Sequence, residues 1–373
     1  MGLQTRRGVV AVLIVAGLLL AARAAAYFRT PQVLWTVATG VPRVEFGNEW
    51  QTRGLPSFLR WSPDGSSLTS ITGYGGWLTV WDLSGRISKE TPLPIPYTYH
   101  FVLDPRRIVM IGNSNTNVAF SVIEVPSGNI IFSETVPPGS NSGDPHATLH
   151  FALSPDGPTL AVAYGWTLPG QPIALYDTRD WHKRATIDAV IDGRSGTGLF
   201  GFSRDGKLLA FSIGNGGLNI FDTAANKILR TFPGAPNHFA FSPDASMVAL
   251  QLLGDGSNPS MSRSLEINIF RLADGVLLAS HAPPPVAADC SGAEPADATD
   301  CGVGGDILWD PRGHFLTFQE GGRIVRLWNP FASASPDAVI KLRGRDGGFA
   351  LSPSGDLLAV GNGGYISVFK IGG

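Results

Sequence analysis

The fold is decided by residues 59–65, Leu-Arg-Trp-Ser-Pro-Asp-Gly, together with residues 77–82, Trp-Leu-Thr-Val-Trp-Asp. The first stretch is a short apolar strand that runs into Ser-Pro-Asp-Gly, the residue order that a type I turn prefers. The second stretch alternates bulky residues, as a half-buried strand does. The pair recurs seven times along the chain, so it predicts a repeat protein rather than a single hairpin.

The turn position, held by Pro63 in the first copy, recurs at intervals of 42, 50, 49, 39, 68 and 42 residues. Its occupants are Pro63, Pro105, Pro155, Arg204, Pro243, Pro311 and Pro353. The later strand recurs at Leu78–Leu83, Val118–Val125, Ile173–Thr178, Leu218–Thr223, Ile267–Leu272, Val325–Pro330 and Ile366–Ile371. A period of about 40–45 residues built from short strands is typical of propeller blades. The sequence therefore predicts an all-β propeller of seven blades, each a four-stranded antiparallel sheet.

The residues before each turn alternate between large and small side chains. Two places and four places before the turn, every residue is large and apolar: Trp61, Leu103, Leu153, Phe202, Phe241, Trp309 and Leu351, then Leu59, Phe101, Phe151, Phe200, Phe239, Ile307 and Phe349. Three places before the turn stand Arg60, Val102, Ala152, Gly201, Ala240, Leu308 and Ala350, which are mostly small. This alternation predicts an innermost strand that wedges bulky side chains between blades, while small residues let the strands converge near the axis.

The seventh repeat stops at Gly373, just after its third strand. A strand-like segment, residues 33–46, precedes the first repeat. We predict that this segment supplies the outer strand of the seventh blade. Pairing it there would join the two ends of the chain and remove an open sheet edge.

These motifs resemble the WD-repeat (WD-forty) family of β-propellers over residues 33–373. The resemblance is strongest in Trp81-Asp82 and in Ser-Pro-Asp-Gly at residues 62–65 and 154–157. The chain departs from the family because it lacks the usual Gly-His pair and has one true Trp-Asp strand end. Similar Ser-Pro-Asp-Gly turns occur in bacterial periplasmic propellers such as that of the Tol-Pal system.

Composition indicates a folded chain whose main partner is not nucleic acid. Apolar residues make up 43% of the 373 residues, charged residues 16%, and the formal net charge is −2. Gly and Pro together supply about a fifth of the chain, which fits many turns. A near-neutral charge gives no electrostatic basis for binding nucleic acid or an anionic membrane surface.

Residues 1–26 are predicted to be an export signal that precedes the propeller of residues 27–373. Arg6 and Arg7 stand before an apolar run over residues 8–22, and residues 24–26 are small enough for cleavage. The alternative is an uncleaved signal anchor that tethers the protein to a membrane. In either case we expect a periplasmic or extracytoplasmic location.

The two cysteines, Cys290 and Cys301, lie in one polar segment. In an oxidising compartment they are predicted to form a local disulfide bond. A metal site there would need further Cys or His ligands, and the segment contains none.

The resemblance places the long insertions on one face of the propeller. In WD-repeat propellers the inner strands begin on the top face and the Ser-Pro-Asp-Gly turns lie on the bottom face. Four long loops then map to the top: Pro137–Ala147, Tyr164–Pro172, Gly254–Ser264 and Ala282–Gly305. Loops on a rigid scaffold often carry function, although insertions are also tolerated without any role. Tyr74, Trp77 and Trp166 are the predicted aromatic contacts of this face, and the alternative for Trp77 is packing between blades.

Histidines recur at one place of the repeat, five residues before the turn position. His100, His150 and His238 stand there, and Asp306 holds the same place in the sixth repeat. Imidazoles and a carboxylate at the channel mouth are possible metal or anion ligands. The alternative is that polar residues at strand starts only hydrogen-bond to loop carbonyls. Blades two, three and five are not all neighbours, which weakens the metal hypothesis.

Catalytic motifs are missing from the sequence. Residues 193–197, Gly-Arg-Ser-Gly-Thr, fail the nucleophile-elbow pattern, and no Gly-Lys-Ser/Thr or Cys-x-x-Cys motif is present. We therefore expect a non-catalytic exported propeller without a cofactor, which binds a protein partner or an envelope ligand through its top face. Two alternatives stay open: a lactonase-like or hydrolase-like enzyme with a channel-mouth metal, and a subunit beside a periplasmic redox enzyme.

Overall fold

The computed structural model is all-β and describes the strands and the turns at one end of the blades. The described residues are 31–38, 58–72, 77–92, 100–104, 106–114, 117–125, 127–136, 149–155, 157–164, 173–187, 200–212, 217–234, 236–253, 265–281, 307–314, 316–320, 324–332, 338–341, 346–362 and 365–371. The predicted export signal and the Cys290–Cys301 pair lie outside these residues. Within them, no helix has the length and apolar character needed to cross a membrane.

Twenty-eight strands are assigned in the described part of the chain. They are β1 Gln32–Ala38, β2 Phe58–Trp61, β3 Ser67–Thr72, β4 Trp77–Asp82, β5 Ile87–Pro92, β6 His100–Asp104, β7 Arg107–Ser114, β8 Asn117–Glu124, β9 Ile130–Val136, β10 Leu149–Leu153, β11 Thr159–Tyr164, β12 Ile173–Asp177, β13 Lys183–Ile187 and β14 Phe200–Phe202. The remainder are β15 Leu208–Ser212, β16 Leu218–Asp222, β17 Lys227–Phe232, β18 Pro236–Phe241, β19 Met247–Leu253, β20 Leu265–Arg271, β21 Leu277–His281, β22 Ile307–Trp309, β23 Leu316–Glu320, β24 Ile324–Trp328, β25 Ala338–Lys341, β26 Asp346–Leu351, β27 Leu357–Asn362 and β28 Tyr365–Lys370.

The strands form seven antiparallel four-stranded sheets, which confirms the predicted propeller. Blades 1 to 6 each use four consecutive strands, from β2–β5 to β22–β25. Blade 7 has the order β1-β28-β27-β26, so the N-terminal strand is its outer strand. The ladder between β1 and β28 runs from Gln32 opposite Lys370 to Ala38 opposite Tyr365. The predicted closure of blade 7 by an N-terminal strand is confirmed. That strand, β1, covers the first part of the predicted segment, residues 33–46.

The core lies between the blades. The side chains of the second and third strands are its most deeply buried members, among them Leu68, Phe120, Phe211 and Trp328. One cluster joins Trp61, Leu68 and Trp81 of blade 1 to residues of blade 7, so the two ends of the chain share a core. Close packing of this kind makes the loss of any large member costly.

Inner-strand residues link adjacent blades as the alternation predicts. The indole Nε1 of Trp61 donates a hydrogen bond to the carbonyl oxygen of Ala350 in blade 7, at 3.0 Å. Trp309 donates in the same way to Ala240 in blade 5, at 3.2 Å. A Cβ atom added to Gly201 would lie 3.0 Å from the ring of Phe239, so the small residue permits the close approach of blades 4 and 5.

Candidate functional site

The bottom face consists of turns whose polar groups bind one another. In blade 1 the hydroxyl of Ser62 donates to Oδ1 of Asp64 at 2.6 Å and accepts from the amide of Ser67 at 3.0 Å. The same Ser-to-Asp bond is 2.7 Å long for Ser203 in blade 4 and 2.6 Å for Ser242 in blade 5. Since these carboxylates are held by their own turns, they act as structural groups.

Blade 6 reverses the usual polarity of the turn. Asp310 takes the place of the buried serine, and Arg312 takes the place of the aspartate. The Asp310 carboxylate is fully buried, with Nε of Arg312 at 3.5 Å from its Oδ1. Arg312 also reaches Oδ1 of Asp356 in blade 7 at 3.2 Å. The reversed pair therefore ties blade 6 to blade 7.

The two kinds of turn shift the aspartate pKa in opposite directions. Hydrogen bonds from the Ser62 hydroxyl, from the amide of Ser66 and from its hydroxyl lower the pKa of Asp64 to about 2. Burial raises the pKa of Asp310 above its usual value, against the opposing effects of the His314 amide and Arg312. A group whose folded-state pKa is lowered contributes stability at pH values above its unfolded pKa. A group whose folded-state pKa is raised costs stability at pH values above that raised pKa.

We predict opposite pH profiles for Asp64→Asn and Asp310→Asn. At pH 7, Asp64→Asn should melt at a lower temperature than the wild type. The difference in melting temperature should disappear as the pH falls from about 4 toward 2. At pH 7, Asp310→Asn should melt at a higher temperature than the wild type. This difference in melting temperature should also disappear on acidification. Thermal melts of the three proteins between pH 2 and pH 7 measure both trends. If both variants shifted the melting temperature in the same direction at pH 7, the opposite pKa shifts of Asp64 and Asp310 would be contradicted.

One group of side chains in the described part of the chain has the composition of a metal site. Asp177, Asp180 and His182 lie at the bottom turn of blade 3, with ligand atoms within 4.8 Å of one another. The guanidinium of Arg179 binds both oxygens of Asp177, at 2.9 and 2.6 Å, and holds the Asp177 pKa well below its usual range. Nδ1 of His182 lies 2.6 Å from Asp180. These contacts make the segment an ion-paired turn. The spacing of residues 177–182 in the sequence did not predict a metal-like group here.

A channel of about 830 Å³ runs between the inner strands. Its described lining is mainly apolar and includes Trp61, Phe202, Phe241 and Trp309. At the bottom it is lined by residues of the turn position, such as Pro243 and Pro353. Arg60, Arg204 and His238 are the basic residues of the described lining.

The predicted histidine ring is described in part. His238 lines the channel, and His150 is half-buried at the start of β10, where burial lowers its pKa and favours the neutral imidazole. The strand of His100 is described, but its side chain and the whole of Asp306 lie outside the described residues. The metal hypothesis for these four residues stays a prediction.

Among the residues that the structure describes, two exposed aromatic side chains stand at strand ends that lead to the top face. Trp77, the first residue of β4, is 43% exposed. Tyr365, the first residue of β28 in the neighbouring blade 7, is 50% exposed. Tyr365 was not among the aromatic contacts predicted from the sequence, although a Gly-Gly pair precedes both residues. Tyr74, Trp166 and the four long loops lie outside the described residues, apart from Tyr164, which ends β11.

Comparison with known proteins supports the fold alone. No family model matches this chain, and no curated protein matches it by sequence. Among the solved structures that match, a chain of hydrazine synthase from Kuenenia stuttgartiensis aligns with a TM-score of 0.59 and 17% sequence identity. The alignment covers 88% of this chain and 99% of that chain. At this identity the likeness shows a shared propeller architecture and transfers no activity.

Proposed function

We propose that this protein is a non-catalytic propeller scaffold outside the cytoplasm, which binds a protein partner through its top face. The exposed aromatic residues Trp77 and Tyr365 carry the proposal. They begin the third strands of neighbouring blades at the end of the propeller opposite the Ser-Pro-Asp-Gly turns. Large aromatic side chains that are exposed on a rigid frame are the residue type that dominates protein interfaces.

The bottom face supports the proposal by contrast. Its described carboxylates are bound within their own turns, as for Asp64 and Ser62, or paired with arginine, as for Asp177 and Arg179. Groups that already have partners contribute little to binding, because a ligand would have to replace those bonds. The long insertions of the chain map instead to the face that carries Trp77.

Substitution of the aromatic pair tests the proposal. We expect Trp77→Ser with Tyr365→Ser to reduce capture of partners from the native cell envelope at least about tenfold, because each truncated aromatic anchor costs roughly 1–2 kcal/mol. Phe331→Ser is the matched control, since Phe331 is 56% exposed at the bottom end of blade 6. Quantitative mass spectrometry of copurified proteins, with thermal melts as a folding check, gives the measurement.

Two outcomes would overturn the proposal. Equal losses in the control and the double variant would show that capture follows general surface hydrophobicity. A purified protein that contains stoichiometric metal, lost in His150→Ala and His238→Ala, would favour the alternative of an envelope enzyme with a metal at the channel mouth.

A further inference from the structure

Four exposed aliphatic side chains lie at the seam between blades 7 and 1. Val33 and Leu34 stand near the start of β1, and Leu83 and Ile87 stand on either side of Gly85 in the bottom turn of blade 1. Each of the four side chains is roughly half exposed. We call this group the seam patch. Such a patch is a candidate contact surface when something specific is available to cover it.

A contact between Trp35 and Gly85 joins the two halves of the seam patch. A Cβ atom added to Gly85 would lie 2.8 Å from the indole ring of Trp35. Trp35 directly follows Leu34, and Gly85 is two residues from Leu83 and two residues from Ile87. The four aliphatic residues are therefore grouped around one close contact between the two blades.

The seam patch belongs to the bottom end of the propeller. Gln32, the first residue of β1, pairs with Lys370, the last residue of β28. The next residue, Ile371, donates its amide hydrogen to the carbonyl oxygen of Asp356 in the bottom turn of blade 7, at 2.9 Å. The chain therefore enters the propeller at the bottom, beside the seam patch and at the end opposite Trp77.

The chain that precedes β1 supplies the reason for a lipid partner. Residues 8–22 form an apolar run, and Ala22 stands ten residues before Gln32. Ten residues span at most about 35 Å when fully extended. An uncleaved run that is held in a membrane keeps the bilayer within that distance of the seam patch.

The charges around the seam patch are compatible with lipid headgroups. Arg86 in the turn of blade 1 and Lys370 at the end of β28 are both exposed. The carboxylate of the same turn, Asp82, accepts hydrogen bonds from two amides of that turn at 2.8 and 3.0 Å. Lys89 and Glu90, further along β5, carry opposite charges. Exposed aliphatic residues bordered by Lys and Arg are typical of surfaces that lie in the headgroup region of a bilayer.

We propose that the seam patch contacts the lipid bilayer that holds residues 8–22, so that the top face of the propeller points away from the membrane. The proposal rests on the signal-anchor alternative for residues 1–26 and is independent of the partner proposed for the top face. Four aliphatic side chains bind a bilayer weakly by themselves, but a tether makes the contact intramolecular and raises the effective concentration of lipid.

Site-specific photocrosslinking of the full chain tests the proposal. Benzoylphenylalanine is placed at Leu83, or at Leu229 as the matched control, and the chain is reconstituted in vesicles of phosphatidylethanolamine and phosphatidylglycerol. Leu229 is also about half exposed, on an outer strand of blade 4 across the ring from the seam. We expect at least about fivefold more lipid adduct at Leu83 than at Leu229, because the tether keeps lipid beside the seam patch.

Substitution of the rest of the patch gives a second measurement with its own control. Leu34→Ser with Ile87→Ser should lower the lipid adduct at Leu83 several-fold, because the aliphatic surface around the probe is lost. Ile228→Ser with Leu277→Ser removes two exposed aliphatic side chains from blades 4 and 5 and should leave the adduct unchanged. Thermal melts check that each variant is folded, and the comparison of Leu83 with Leu229 needs neither double variant.

Mass spectrometry of the adducts identifies what covers the patch. Equal lipid adducts at Leu83 and Leu229 would overturn the proposal, and so would a Leu83 adduct that survives Leu34→Ser with Ile87→Ser. Crosslinks from Leu83 to residues 1–30 of the same chain, or to a second copy, in place of lipid would show that protein covers the patch. A chain that separates from the vesicles on flotation would also overturn the proposal, because residues 1–26 would then not hold it in the membrane.

Discussion

A chain that begins at residue 39 is expected to aggregate, or to melt on the order of 10 °C below a chain that begins at residue 31. The reason is the closure of blade 7, where β1 pairs with β28 along the whole strand. Without β1, residues 365–370 would form an unpaired edge, which is a template for association with other chains. Trp35 and Val37 would also leave the core cluster that blades 1 and 7 share.

The comparison of the two truncated chains needs thermal melting and size-exclusion chromatography. Trp35→Ala separates packing from pairing, because Trp35 packs so closely on Gly85 of blade 1 that an added Cβ there would lie 2.8 Å from the indole ring. We expect this variant to lose stability and to elute at the same volume as the parent chain. Leu34→Ser, at a residue that is 48% exposed, is the control and should melt like the parent. Equal melting of the two truncated chains would refute closure by β1.

The repeat made the fold predictable from the sequence. Seven copies of one turn fix the blade count, and the alternation of Leu59 and Trp61 about Arg60 identifies the inner strand without knowledge of its neighbours. Closure was predictable for the same reason, since a blade with three strands leaves an open edge. The blade count, the inner strand and the closure of blade 7 all follow from short-range residue patterns, which can be read directly from the sequence.

The candidate site was less predictable because it depends on contacts between blades. The buried carboxylate of Asp310 looks like any turn residue until Arg312 and Asp356 are seen beside it. Arg60 and Arg204 are 144 residues apart in sequence, and only the closed ring shows that both line one channel. Tyr365 needed the strand assignment of blade 7 to be recognised as the counterpart of Trp77.

Trp81→Ala is expected to destabilise the protein by about 3–5 kcal/mol, the range for truncating a large buried aromatic side chain. Trp81 is 4% exposed and packs with Trp61 and Leu68 in the cluster that joins blades 1 and 7. Its indole Nε1 also donates to the hydroxyl of Ser70 at 2.8 Å, within the core. The substitution therefore leaves a cavity and a hydroxyl without its donor.

Trp77→Ala is the matched control, because the same residue type stands four places earlier in the same strand. Trp77 is 43% exposed, so its truncation should change stability by at most about 0.5 kcal/mol. Urea unfolding of both variants measures the difference. Combined with the partner-capture experiment, the two variants distinguish a structural role from a binding role. Trp81→Ala should lose stability, and Trp77 variants should lose binding at wild-type stability. Comparable destabilisation by both would mean that the exposed aromatic residue is part of the blade packing and is unsuited to anchor a partner.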